Sequence, residues 1–239
     1  MKKSCIHFIR HGITEGIVNR WYYGETDLPL IDEGILQLNK FRDEGIYPSS
    51  ESAACYTSGM LRANQTFEVL FGHSNYQVIS DLREMNFGSW ECKTFDELKA
   101  LEGFDLWIND KSGTFTFPGG DSSVSFQERV SKGLDELLKR HFLRGCPARV
   151  TEDSEDAGNP EDAGKPEDAE EREDAEECED AEEREENSAI VVCHGGVIAS
   201  CMCMLLGEPA KAFWDWIPGP GRGYTVYFEG GKSSGYEKI

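Results

Sequence analysis

Five consecutive apolar residues, Ala189-Ile190-Val191-Val192-Cys193, run straight into His194-Gly195-Gly196. A short apolar run with no polar alternation fits a strand covered on both faces, the kind found in parallel sheets. The same event occurs near the N-terminus, where the mostly apolar Cys5-Ile6-His7-Phe8-Ile9 is broken by Arg10-His11-Gly12. Strands of this type need helices on either side, and the intervening chain offers them. From Asp32, Ile35, Leu38 and Phe41 fall one face apart in steps of three. Residues 53–56 form a second short strand, and Ser58 can cap a helix with Leu61, Phe67, Val69 and Leu70 ahead of Phe71-Gly72. A further strand is expected at 76–79 and helices at 124–142 and from Gly195 through Leu206. This alternation predicts an α/β fold with a largely parallel sheet covered on both faces.

The chain of 239 residues allows one large domain or two small ones, and its net charge of −21 looks extreme. Most of that charge is local. Residues 151–187 hold 20 Asp and Glu against Lys165, Arg172 and Arg184, leaving only −4 for the other 202 residues. From Glu155 the segment parses into five hexapeptides, EDAGNP, EDAGKP, EDAEER, EDAEEC and EDAEER. With no aromatic or β-branched residue it cannot offset chain entropy by burial, so we expect a disordered insertion in a single domain spanning 1–239. The acidity argues against nucleic acid or an anionic membrane as partner. No stretch approaches the roughly 18 uninterrupted apolar residues of a membrane helix, and residues 1–10 lack the apolar core of a signal peptide. A cytoplasmic location is expected. The eight cysteines are scattered, and Cys201-x-Cys203 has the wrong gap for a zinc site, so reduced thiols and no metal or other cofactor are expected.

Chemistry concentrates where strands end. In open α/β sheets ligands bind outside the carboxyl ends of the strands, and both His11 and His194 follow such ends, 183 residues apart. Arg62 opens the helix after strand 53–56 and belongs to the same edge. With Arg10 it can hold anionic oxygens in bidentate fashion, assisted by the positive end of a helix. A surface pairing of Arg62 with Glu68 is the plainer alternative. Glu84 stands in the semi-apolar Leu82-Arg83-Glu84-Met85-Asn86-Phe87-Gly88, surroundings that favour a carboxylic acid over a carboxylate and suit a general acid. Asp81 and Glu91 lie close by, and residue chemistry alone leaves the choice among the three open.

Taken together these segments resemble the histidine phosphatase (phosphoglycerate mutase-like) superfamily, over essentially the whole chain outside the acidic repeat. Arg10-His11-Gly12 resembles the family signature, and Gly24-Glu25-Thr26-Asp27-Leu28-Pro29-Leu30 its G-x-T-D-x-P-L segment. Residues 56–66, Leu82–Gly88 and Val192-Cys193-His194-Gly195-Gly196 resemble the second-arginine, proton-donor and second-histidine motifs. The resemblance implies a three-layer phosphoglycerate mutase-like sandwich, with His11 as nucleophile and Glu84 as proton donor. It further implies that Arg10, Arg62 and His194 bind and stabilise the phosphoryl group, with backbone at Gly12 and Gly195 assisting. Two departures stand out. The family's R-H-G-x-T-E-x-N ends here in Ile17, which removes an expected hydrogen-bond donor, with Asn19 the nearby candidate to replace it. Gly59 replaces a usual Pro, which loosens the turn before Arg62.

The implied reaction is metal-independent hydrolysis of a small-molecule phosphomonoester through a phosphohistidine. Phe117-Pro118-Gly119-Gly120-Asp121-Ser122 resembles the P-G-G-E-S motif of the small-phosphatase branch, which includes α-ribazole phosphatases. The Phe213–Trp216 and Gly221–Tyr224 segments resemble that branch as well. Phosphoglycerate mutase-type transfer and a non-catalytic phosphoester-binding module remain as alternatives. Trp21, Tyr22, Trp107 and Trp214 are candidates for a leaving-group pocket, with core packing the commoner role for each. His7, His73 and His141 are assigned no role. Because the acidic repeat lies outside every motif, deleting residues 151–186 is expected to leave turnover near that of the intact chain. Steady-state kinetics on the deleted protein check this, and a large loss with the fold intact would contradict it.

Overall fold

The computed structural model describes residues 4–143, 187–207 and 210–239, so the expected disorder of the acidic repeat lies outside the described residues. In chain order the elements are β1 Ser4–Arg10, α1 Glu15–Val18, β2 Trp21–Tyr22, α2 Asp32–Asp43, β3 Ala54–Thr57 and α3 Leu61–Phe71. Then follow β4 Gln77–Val78, β5 Lys93–Thr94, α4 Phe95–Leu98, α5 Phe104–Ile108, α6 Ser123–Leu143, β6 Ser188–Cys193, α7 Gly195–Leu206, β7 Gly223–Glu229 and β8 Lys232–Lys238.

Six strands form one sheet in the order β4-β3-β6-β1-β7-β8. The four strands from β4 to β1 run parallel, while β7 and β8 add an antiparallel edge. The apolar run 189–193 is the middle of this sheet, and its side chains divide between two cores as strand geometry requires. Ala189, Val191 and Cys193 meet Phe126, Val130 and Leu137 of α6 and Val197 and Ile198 of α7 on one face. Ile190 and Val192 meet Leu38 of α2 and Ala63, Phe67 and Leu70 of α3 on the other. The result is helix, sheet, helix: three layers, as the resemblance implied.

Several expectations change in detail. The strand at 76–79 shrinks to the exposed pair Gln77–Val78, with the Tyr76 N–H turned back to Ser74 O at 3.0 Å. β7 and β8 were not anticipated. Their signal was present in the β-branched and aromatic run Tyr224-Thr225-Val226-Tyr227-Phe228 and in Gly230-Gly231, whose φ values of 58° and 78° supply the positive dihedrals of a tight hairpin. Ser58 does not cap α3. The N-cap is Met60, with no side-chain cap. Gly59 is not a loosened proline position: its φ of 82° is closed to proline, whose ring fixes φ near −65°.

Register aligns the ends of the three central strands. Thr57 and Ile9 both pair with Val192, and Arg10 pairs with Cys193. The ladder continues one step further, with His11 N–H donating to Cys193 O at 3.0 Å and Ser58 N–H to Val192 O at 3.2 Å. Residues 11, 58 and 194 therefore emerge level on one edge. Because Ile190 is fully buried in the strand that sets this register, Ile190→Ala should cost about 2–5 kcal/mol of unfolding free energy. Urea titration checks this through a lower midpoint at unchanged slope.

Candidate active site

At that edge the two imidazoles lie 5.3 Å apart between ring centroids, inclined at 60°. Both histidines are buried. His11 Nδ1 is 2.8 Å from Gly12 O, a carbonyl that only accepts, so Nδ1 carries the proton and Nε2 keeps its lone pair. Burial, then Arg62 and Arg10, hold His11 well below its ordinary pKa. Burial, Arg62, His11 and Arg10 do the same to His194. Both rings are thus neutral near pH 7. His194 Nε2 meets Ser58 Oγ at 2.8 Å, which explains why Ser58 is not spent on capping. His194 Nδ1 is buried without a partner.

Arg62, in the first turn of α3, is fully buried. It donates to Gly24 O at 2.8 Å and Thr26 O at 3.1 Å, and pairs with Asp27 at 3.5 Å. These partners, rather than Glu68, are its anchors. Arg10, the last residue of β1, donates to Pro218 O at 2.7 Å. The Nε atoms of both arginines are buried without partners. Burial lowers the pKa of each, while Glu84 acts on both in the opposite sense. One buried and one half-buried cation beside two neutral imidazoles make a pocket that attracts an anion.

Glu84 reaches the same pocket from the loop after the one-turn helix Ser80–Leu82. Its carboxyl accepts from Gly196 N–H at 2.9 Å and from Met85 N–H at 3.0 Å. It lies at the N-terminus of the 12-residue helix α7. Of Asp81, Glu84 and Glu91, it is Glu84 whose carboxyl meets the start of α7 beside His194. Asp81 shows no such placement, and Glu91 is committed to main-chain amides.

Arg129 was not singled out from the sequence, and Glu91 was named there only as a neighbouring alternative to Glu84. The Glu91 carboxylate accepts from Gly24, Glu25, Thr26 and Phe87 N–H groups at 2.9–3.1 Å. It thereby fixes the loop whose carbonyls hold Arg62. Arg129 of α6 donates to Asp81 O, Arg83 O and Glu84 O and pairs with Asp121 at 2.9 Å. It fixes the loop that carries Glu84. No motif marks either residue, because their partners are backbone groups that any sequence supplies.

Some expected contributors have other duties. The Gly12 N–H is taken by Thr66 Oγ1 at 2.9 Å, so it is not free to meet a phosphate; Gly12 instead orients His11 through its carbonyl. Gly195 is the first residue of α7, where an added Cβ would lie 3.2 Å from Arg10 Cζ, so its smallness admits the guanidinium. Asn19 is exposed at the C-cap of α1 and does not replace the missing amide. Tyr22 and Trp107 stack edge-on in an aromatic cluster with Trp90 and Phe117, Trp21 pairs with Thr94 in the β2–β5 ladder, and Trp214 is 72% exposed. His7 bonds Thr225, His141 bonds Ser4 and His73 bonds Ser50. Among the described residues no group of His, Cys, Asp and Glu could hold a metal ion, none of the cysteines is in a disulfide, and no helix is long and apolar enough to cross a membrane.

Two outcomes follow. Glu91→Ala releases the loop that holds Arg62 and should weaken inorganic phosphate binding by about 10- to 100-fold in calorimetry. For pH, the unfolded chain protonates its histidines near 6.5 while folded His11 and His194 resist it. The unfolded state then binds more protons, so stability falls as pH drops through 6.5. Urea midpoints at pH 7.5 and pH 5.5 check this sign, and a higher midpoint at pH 5.5 would contradict it.

A profile of the histidine phosphatase superfamily (branch 1) matches residues 6–146 and 143–234. The adenosylcobalamin/α-ribazole phosphatase of Escherichia coli (strain K12) is 24% identical over 210 residues, 86% of this chain and 81% of that protein. Two solved structures share the fold. The α-ribazole phosphatase from Shigella flexneri has a TM-score of 0.68 at 19% identity, covering 96% of this chain and 93% of that one. Phosphoglycerate mutase from Thermus thermophilus has a TM-score of 0.54 at 24% identity, covering 98% and 99%. With its profile matched over most of its length, the chain belongs to branch 1 of the histidine phosphatase superfamily.

Proposed function

We propose that the protein is a metal-independent phosphomonoesterase that works through a phosphohistidine. The observation that carries this reading is the set of buried, unpartnered nitrogens, Arg10 Nε, Arg62 Nε and His194 Nδ1, around a neutral His11 whose Nδ1 is tied to Gly12; with Ser58 donating to His194 Nε2, all three are donors. His11 Nε2 attacks phosphorus in line. The N–P bond forms as the ester P–O bond breaks, and Glu84 gives its proton to the departing oxygen. Water then attacks the phosphohistidine, Glu84 takes the proton from it, and phosphate leaves with His11 restored. Arg10, Arg62 and His194 hold the three equatorial oxygens, where most of the catalysis of phosphoryl transfer resides.

Hydrolysis is favoured over mutase-type transfer by the charge of the segment between the Glu84 loop and α6. Residues 95–122 hold Lys99 and Lys111 against six acidic side chains. Such a segment repels a substrate whose leaving group carries further anionic charge. The relatives named for α-ribazole phosphate make that ester the first candidate.

The test is hydrolysis of a phosphomonoester panel, α-ribazole phosphate and 3-phosphoglycerate included, by wild type and His11→Ala in EDTA. Metal-free turnover with acid-labile phosphate on the wild-type protein, and loss of both by at least about 1,000-fold in the variant, is expected. No hydrolysis of any ester would contradict the reading and favour a binding module.

A further inference from the structure

The proposed reaction asks opposite things of two neighbouring imidazoles. His11 must offer a lone pair to phosphorus, while His194 must offer a proton to a phosphoryl oxygen. Both rings are neutral and buried, so each has one N–H and one lone pair. What divides the work is the second hydrogen bond that each ring makes. For His11 the Gly12 carbonyl takes the Nδ1 proton, which leaves Nε2 bare. His194 is held from its other end: Nε2 meets Ser58 Oγ at 2.8 Å, and Nδ1 is the nitrogen left without a partner.

The proton in the bond between Ser58 and His194 comes from Ser58. Its Oγ already accepts from Met60 N–H at 3.4 Å, and its own hydrogen needs an acceptor. Among the described residues, His194 Nε2 is the acceptor within hydrogen-bond distance. An Nε2–H tautomer would strand the buried hydroxyl without an acceptor and turn a second lone pair toward the anion. The turn that carries Ser58 leaves it little freedom. Thr57 Oγ1 accepts from Gly59 N–H at 3.1 Å and donates to Asn64 Oδ1 at 2.7 Å, and Asn64 Nδ2 donates to Gly59 O at 3.2 Å. On the sheet side, Ser58 N–H is bound to Val192 O. His194, as N-cap of α7, makes no side-chain cap, so its ring is free to follow Ser58.

Resting on the phosphoester reading, we infer that Ser58 is a positioning residue: its hydroxyl locks His194 in the Nδ1–H tautomer and so makes that ring a donor to the phosphoryl group. It is the counterpart of the Gly12 carbonyl, which makes His11 a nucleophile. Two hydrogen bonds from outside the reacting atoms thus give identical rings different chemistry.

Long-range proton–nitrogen NMR spectra of histidine-labelled protein identify the protonated nitrogen of each neutral ring, and His194→Asn assigns the His194 signals. Wild type should show His194 protonated at Nδ1. In Ser58→Ala the His194 proton should redistribute toward Nε2, and inorganic phosphate binding in calorimetry should weaken by about 10-fold or more. Ser58→Cys keeps a weak donor and should fall between the two. An Nε2–H tautomer in wild type would overturn the inference without any variant. So would a Ser58→Ala protein with a lower Tm but unchanged tautomer and phosphate affinity, since Ser58 would then be merely structural. If wild type neither binds phosphate nor hydrolyses esters, the functional reading fails on its own, and the spectra still decide what Ser58 does to His194.

Discussion

Burying the Arg62 guanidinium is the constraint around which the site is arranged. A side chain with no exposed surface and a full charge is tolerable only if its N–H groups find acceptors. Two of those acceptors are main-chain carbonyls, Gly24 O and Thr26 O, on a loop with no regular structure. The loop keeps its shape because Glu91 gathers the N–H groups of residues 24–26 and that of Phe87. One carboxylate thus organises the backbone that organises the cation. Because the Phe87 amide belongs to the chain just after Glu84, the same carboxylate ties the two loops of the pocket together.

The sheet supplies the other half of the arrangement. Parallel pairing of β3, β6 and β1 brings Ser58, His194 and His11 out level. The apolar run of β6 fixes that level, since a one-residue slip would carry its buried side chains to the wrong layer. Burial and the neighbouring arginines keep both imidazoles neutral. In the proposed reaction the arginines therefore act twice: they attract an anion, and they keep the attacking nitrogen unprotonated.

Much of this was legible in the sequence. The apolar runs ending in His11 and His194 announced the sheet and its working edge, and Arg62 at the start of a helix placed a cation beside them. Chemistry alone did not single out Glu84 from Asp81 and Glu91; its position against Gly196 and Met85 became visible only in the fold. What stayed hidden depends on long-range contacts to backbone. Glu91 and Arg129 look like ordinary charged residues until their main-chain partners are seen. Gly12 was read as a phosphate donor, but its amide is already bound to Thr66. The β7–β8 edge was missed because its residues were read for motif and not for the strand preference of Tyr224–Phe228.

The most direct test of the account is the structure of the protein with orthovanadate, which takes the five-coordinate geometry of phosphorus during transfer. The account predicts vanadium bonded to His11 Nε2, with Arg10 Nε, Arg62 Nε and His194 Nδ1 each within about 3.2 Å of an equatorial oxygen. Glu84 should then face the apical oxygen opposite His11. Vanadate bound away from His11, or held there with those three donors still unpartnered, would contradict it.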